Sequence, residues 1–289
     1  MDNFVKKYIV GVSGGPDSMC LLNKYKDKVV AVCHVNYQMR DSAKRDELIV
    51  KQFCLDHNIP FHASYPKYDK TIHSNFQSWA RIQRYNFMVR IAKKYEVKTI
   101  LTAHHLNDSL ETAYMQLEKK IETLYLGIRK TIQYKDMTIY RPLLELTKNE
   151  ILKYCEVHHI PYGVDETNFD LKYKRNYVRK ILNDWTLQKL KKFEQKISKF
   201  NQEHQRLDEQ VYTFYQAWKT NRDLNSLLKQ DDEFIFHVLY WLFTEENISF
   251  SRNKFKMFLS FSQKNNPNKL MRVGNNKNLV IRKRHLFFV

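Results

Sequence analysis

The chain of 289 residues is 43% apolar and 14% aromatic, which excludes global disorder, because that many apolar side chains can offset the entropy of ordering the chain. Forty-nine Lys and Arg against 31 Asp and Glu give a net charge of +18, a field that draws polyanions and puts nucleic acid first among partners, although a Lys-rich composition bias is an equally good source of much of it. The four scattered cysteines form no C-x-x-C pair, which excludes a disulfide framework or zinc site, and the lack of a signal region or membrane-length apolar run leads us to expect a cytoplasmic protein with no membrane partner.

In chain order, residues 8–12, 29–35, 61–65 and 99–103 form short β-rich runs separated by amphipathic helical patterns. This alternation predicts an α/β fold, a Rossmann-like parallel sheet with helices on both faces. Ligands of such sheets bind beyond the carboxyl ends of the strands, where strand order reverses. The stretches after the first, second and fourth runs, Ser13 to Ser18, Asn36 to Arg40 and His104 to Thr112, are therefore candidates for one shared crevice. A polar, basic segment over 165–179 closes this first domain, set at 1–185. From Leu190 the apolar positions Leu190, Phe193, Ile197, Phe200, Leu207, Val211 and Phe214 recur at helical spacing, which predicts a long connecting helix within 186–220. The remainder, 221–289, reads as a small α+β domain with a buried helix over 234–243 and β-structure over 270–289 around a Gly274-Asn275-Asn276 turn.

The first of these stretches carries the clearest chemistry. Ser13, Gly14, Gly15, Pro16, Asp17 and Ser18 form a small turn between an apolar strand and a helical pattern. Such a turn exposes successive backbone N–H groups beside a helix N-terminus, a place suited to phosphate. Ser13 and Ser18 add hydroxyls, and Asp17 either caps the helix or helps to organise a metal ion such as magnesium. The lysine of a Walker A loop is absent.

This hexapeptide resembles the pyrophosphate-binding loop of ATP pyrophosphatases, enzymes that adenylate a carbonyl oxygen. Further segments are similar to the lysidine synthetase family over about the first 180 residues: His34-Val35-Asn36-Tyr37-Gln38-Met39-Arg40, Ala80-Arg81-Ile82-Gln83-Arg84-Tyr85, Ala103-His104-His105-Leu106-Asn107-Asp108-Ser109-Leu110-Glu111-Thr112, Arg141-Pro142-Leu143-Leu144, and Asp165-Glu166-Thr167-Asn168 followed by Arg175-Asn176 and Arg179. Tyr37 stands where the family commonly has histidine, and the Gly-rich stretch after the His-His motif is reduced to Leu126-Gly127-Ile128.

The resemblance implies a tRNA-modifying ligase. Such an enzyme joins free L-lysine to C2 of the wobble cytidine of an isoleucine tRNA with anticodon CAU, consuming ATP with Mg2+ and releasing AMP and pyrophosphate. It implies that Ser13 to Ser18 and Asn36 bind the nucleotide and that Arg84 stabilises charge at the adenylated intermediate. Spacing puts Asp108 and Glu111 on one helical face, with His104 one turn before Asp108. These carboxylates hold the lysine ammonium, take its proton or bind magnesium, and the sequence does not separate these roles. Arg175, Asn176, Arg179 and Arg40 are the expected tRNA contacts, extended by a basic tail that includes Lys254, Arg272, Arg282, Lys283 and Arg284. The rival readings are a thiolase sharing the nucleotide loop, against which the missing cysteine pair argues, and a tRNA-binding module without catalysis. A homodimer is left open.

Overall fold

The computed structural model describes residues 6–39, 42–69, 76–163, 174–246, 248–263, 270–274 and 277–289. Arg40, the segment 165–168 and the turn residues Asn275 and Asn276 lie outside the described residues. The chain divides into two units, residues 1–116 with 127–190, and residues 117–126 with 191–289.

In the first unit, β1 (Tyr8–Gly11), β2 (Val29–Val35), β3 (Phe61–Ser64), β4 (Thr99–Leu101), β5 (Thr131–Tyr134) and β6 (Met137–Tyr140) form a sheet in the order β3-β2-β1-β4-β6-β5. The pairs from β3 to β6 are parallel, and β5 joins β6 antiparallel. The expected Rossmann-like parallel sheet is present, with one antiparallel edge strand added by a hairpin too short to need a crossover. Alternation along β1 decides the layering, because successive side chains of a strand face opposite sides. Tyr8, Val10 and Val12 pack with α1 (Pro16–Tyr25), α2 (Ala43–Asp56) and α5 (Lys148–Val157), whereas Ile9 packs with α3 (Phe76–Lys94) on the other face. The helices α4 (Leu106–Glu118) and α6 (Lys174–Asn183) complete the elements near the carboxyl ends of the strands.

In the second unit, the long helix appears as α7 (Leu187–Trp218), and its Val211, Tyr215 and Trp218 enter a core with α8 (Leu224–Leu228), α9 (Asp232–Glu245) and α10 (Arg252–Ser262). An antiparallel sheet of β7 (Leu270–Gly274), β8 (Lys277–Arg282) and β9 (His285–Phe288) covers it. Leu124, from the separate segment 117–126, belongs to this same core, and Asn201 fastens the segment by accepting from the Leu126 N–H at 2.7 Å and donating to its carbonyl at 3.0 Å. Among the described residues, no helix is long and apolar enough to cross a membrane. All four cysteines are free and buried.

Candidate active site

Strands β1 and β4 are neighbours, while their own connections run to opposite sides of the sheet. The loops that follow them therefore open side by side at the reversal of strand order. Ser13 to Ser18 leave β1 there, and His104 to Asp108 leave β4.

The loop after β1 is held from inside. Ser18 is buried, and its Oγ accepts from the backbone N–H of Ser13 (3.1 Å) and of Gly14 (3.2 Å) while donating to the Gly15 carbonyl (3.0 Å). Gly14 takes φ 94°, a left-handed value that glycine adopts without strain. Gly15 caps α1 and Pro16 opens its first turn, where a missing N–H costs nothing. Ser13 stays exposed, and Asp17 points its carboxylate into the crevice.

Asp17 meets a partner that sequence reasoning missed. Lys148 Nζ lies 2.6 Å from Asp17 Oδ1, across 131 residues of chain. Thr147 fixes Lys148 in place: it caps α5 through a reciprocal capping box with Glu150, so Lys148 is the first helical residue. Its backbone N–H also donates to Asn107 Oδ1 at 2.9 Å.

The second loop corrects the expected helical spacing. Helix α4 starts at Leu106, so His104 precedes it and does not stack one turn before Asp108. Its neighbour His105 does the facing instead: His105 Nε2 lies 3.5 Å from Asp108 Oδ2 and 3.8 Å from Asp17 Oδ2, and its backbone N–H donates to Asp108 Oδ2 at 3.1 Å. His104 contacts the Thr102 hydroxyl at 3.1 Å. Burial, then the guanidinium field of Arg141, Arg84, Arg81 and Arg175, holds its imidazole well below the usual histidine range, so the ring is neutral.

Asp108 and Glu111 share a face of α4, as their spacing requires, but their surroundings differ. The Glu111 side chain is only 2% exposed, and both of its oxygens are taken: Oε2 accepts from Arg175 Nε (2.8 Å) and Oε1 from Arg179 Nε (2.7 Å). The Asp108 side chain is 16% exposed and receives one longer contact from Arg175, at 3.3 Å. Arg175 and Arg179, four apart on α6, thus turn one edge of each guanidinium inward and leave over a third of each side chain exposed. Asn176 lies between them, half-buried.

Arg84 and Arg81 are exposed on α3, their guanidiniums 5.9 Å and 4.7 Å from the ring centre of Tyr85. Burial pushes the Tyr85 phenol up, but Arg81, Arg141 and Arg84 outweigh it, and its pKa ends below the ordinary value. Asn36 is buried, with Nδ2 donating to Glu47 (2.8 Å) and Oδ1 accepting from Gln38 N–H (2.9 Å), so its amide shapes the turn after β2. Tyr37 donates to the Ala80 carbonyl at 2.7 Å and packs edge-on against Phe76.

Asp17, His105, Asp108, Glu111, Lys148 and Arg179 line one cavity of about 290 Å³, together with Leu110, Leu182 and Leu190. Asp17 is paired with Lys148 and Glu111 with Arg175 and Arg179, so Asp108 and the leucines are what suit a ligand with a cationic end and an apolar stem. For magnesium, the donors fit in kind, since Mg2+ takes one or two protein carboxylates and completes its shell with phosphate and water. Asp17 and Asp108 offer such oxygens. Among the described residues, no group of three or more His, Cys, Asp or Glu is placed to hold a metal without those additional ligands.

A glycine-serine loop at the reversal point of such a sheet defines a nucleotide-binding domain of the PP-loop class, and residues 2–185 match the PP-loop domain family. The chain is also 37% identical over 278 residues to the tRNA(Ile)-lysidine synthase of Ureaplasma parvum serovar 3, covering 94% of this chain and 84% of that protein. A second relative, the tRNA(Ile)-lysidine synthase of Malacoplasma penetrans, is 37% identical over 265 residues, with 90% of each chain covered. The chain belongs to the tRNA(Ile)-lysidine synthase family. Among solved structures, the U34-tRNA thiolase NcsA from Methanococcus maripaludis shares the fold, with a TM-score of 0.53 at 16% identity, over 70% of this chain and 72% of that one.

Proposed function

We propose that this chain is a cytoplasmic ligase that forms lysidine, joining L-lysine to C2 of the wobble cytidine of the CAU-anticodon isoleucine tRNA at the expense of ATP. The observation that carries the reading is the cavity: the aspartate of the nucleotide loop and the carboxylates of α4 line one leucine-walled space at the switch point, with Lys148 and Arg179 beside them.

In the first step the cytidine O2 attacks the α-phosphorus of ATP and pyrophosphate leaves. The Gly15 N–H, the Ser13 hydroxyl and the N-terminus of α1 stabilise the phosphate charge, while the Ser18 hydroxyl, which accepts from the Ser13 and Gly14 N–H groups, holds the loop in shape. Lys148 releases Asp17 and turns its ammonium to the phosphates. Asp17 would hold a magnesium ion, which would supply neutralisation of phosphate charge. Arg84 and Arg81 face the anionic adenylate, which lowers the electrostatic cost of crowding four guanidiniums, those of Arg141, Arg84, Arg81 and Arg175, around His104.

In the second step the lysine amine attacks C2, and AMP departs with the oxygen. Free lysine is protonated near neutrality, with an amine pKa of about 10.4, so a base must take the proton. Asp108 is the better placed carboxylate, because Glu111 has both oxygens engaged by arginine. The cavity leucines cover the lysine methylenes. Arg175, Asn176, Arg179 and Arg40 contact tRNA phosphates, and the second unit by itself presents the exposed cations Arg272, Arg282 and Lys283. Lys254 is spent within its own unit, donating to the Ser249 and Val273 carbonyls at 2.6 and 2.8 Å.

Incubation with ATP, labelled lysine and the CAU-anticodon tRNA tests the reading. The expected result is label in RNA and released pyrophosphate, each dependent on all three substrates. Tight tRNA binding without ATP consumption would instead identify an RNA-binding module without catalysis.

A further inference from the structure

We propose that Asp46 and Gly163 form a positioning pair that aims the Gly15 N–H at the nucleotide phosphates. This rests on the reading of residues 13–18 as the phosphate cradle.

Two of the six glycines of the chain converge on one buried aspartate, Gly14 on its Cβ and backbone carbonyl and Gly163 on its carboxylate. A Cβ on Gly14 would stand 2.8 Å from both Cβ and the carbonyl oxygen of Asp46. A Cβ on Gly163 would stand 1.9 Å from Asp46 Oδ1 and 2.9 Å from its Cγ. Gly14 needs glycine for its φ of 94°, but Gly163 is not among the positive-φ residues. Lack of room beside Asp46 is therefore what keeps a side chain off position 163.

That close approach has an effect on the loop. Gly163 N–H donates to the Gly14 carbonyl at 2.9 Å. In a planar trans peptide the C=O and the following N–H point in opposite directions. Fixing the Gly14 oxygen on Gly163 therefore fixes the direction of the Gly15 N–H, at the N-cap of α1 where phosphate binds. Asp46 sets the height of Gly163 above the loop, and Arg45 keeps the carboxylate still, donating to Oδ1 from Nε at 3.1 Å and from Nη2 at 2.8 Å. A carboxylate beside a phosphate site is otherwise repulsive, so its service here is shape, with its charge countered by Arg45.

The test is a mutant cycle of wild type, Gly163→Ala, Asp46→Ala and the double variant, read by ATP affinity, the KM for ATP, kcat and melting temperature. Gly163→Ala should weaken ATP binding and raise KM about tenfold or more while kcat changes less, because a donor displaced by an ångström loses much of its effect. Asp46→Ala makes room for the new methyl, so the double variant should bind ATP within about threefold of Asp46→Ala alone, a coupling that independent sites lack. An unchanged affinity in Gly163→Ala overturns the proposal, as does a double variant that is unfolded or still as weak as Gly163→Ala. A wild-type protein that fails to bind ATP overturns the function proposed above together with this inference, whereas wild-type binding with no rescue overturns the inference alone.

Discussion

Glu111→Gln separates an anchoring carboxylate from a catalytic one. The substitution keeps the size of the side chain but removes the charge that holds two guanidiniums, and it presents an amide hydrogen to one of them. Cutting one partner from a fully buried ion pair costs about 3–5 kcal/mol. The arginines here remain 39% and 35% exposed, so water recovers part of their solvation, and about 2–3 kcal/mol is the appropriate loss. For a unit of this size that lowers Tm by about 4–12 °C. Differential scanning calorimetry reads it directly, and Arg179→Gln combined with Glu111→Gln should cost less than the sum of the two, since the double variant orphans one guanidinium fewer and the remaining one, Arg175, keeps its contact with Asp108. A Glu111→Gln protein that melts with the wild type yet transfers no lysine would refute the anchoring role and make Glu111 the lysine partner.

Asp108→Asn should reduce lysine transfer about a hundredfold or more while leaving tRNA binding and Tm near wild type; retained transfer in the labelled-lysine assay removes Asp108 as the base. Lys148→Ala should raise the KM for ATP about tenfold, because it removes a cation from the phosphates, and an unchanged KM would mean that Lys148 only neutralises Asp17. His34 and His104 are held neutral in the fold, both chiefly by burial, so their native pKa values lie below the unfolded value of about 6.5. Their contribution to stability is complete above about pH 6.5 and is lost as pH falls through the interval down to the native pKa values. Tm should therefore drop between pH 7.5 and 5.5, with His34→Gln showing a shallower drop, and a flat profile in the wild type would contradict the burial argument.

Much of this arrangement was legible in the sequence because it depends on short-range pattern. The strand β2 falls on its expected residues, and β1, β3 and β4 end one or two residues early, where the chain turns into the site loops. The hairpin of β5 and β6 was not visible, because its turn at Lys135 and Asp136 lacks the usual glycine or asparagine although Lys135 takes φ 52°. The choice between His104 and His105 depends on where α4 begins, a boundary set by how the loop leaves β4 and not by periodicity. Lys148 and Asp46 were missed for a further reason: each meets the nucleotide loop only through tertiary packing, and neither has a helical or strand spacing to residues 13–18.

The short excursion of residues 117–126 out of the first unit limits how this protein can be cut or recombined. A fragment ending near residue 190 would keep every nucleotide-loop residue but carry a ten-residue tongue whose Leu124 has lost its hydrophobic neighbours and whose Leu126 has lost Asn201. Such a fragment should be prone to self-association, and during synthesis the tongue waits until the last hundred residues have left the ribosome. The two halves are consequently obliged to be inherited as one piece.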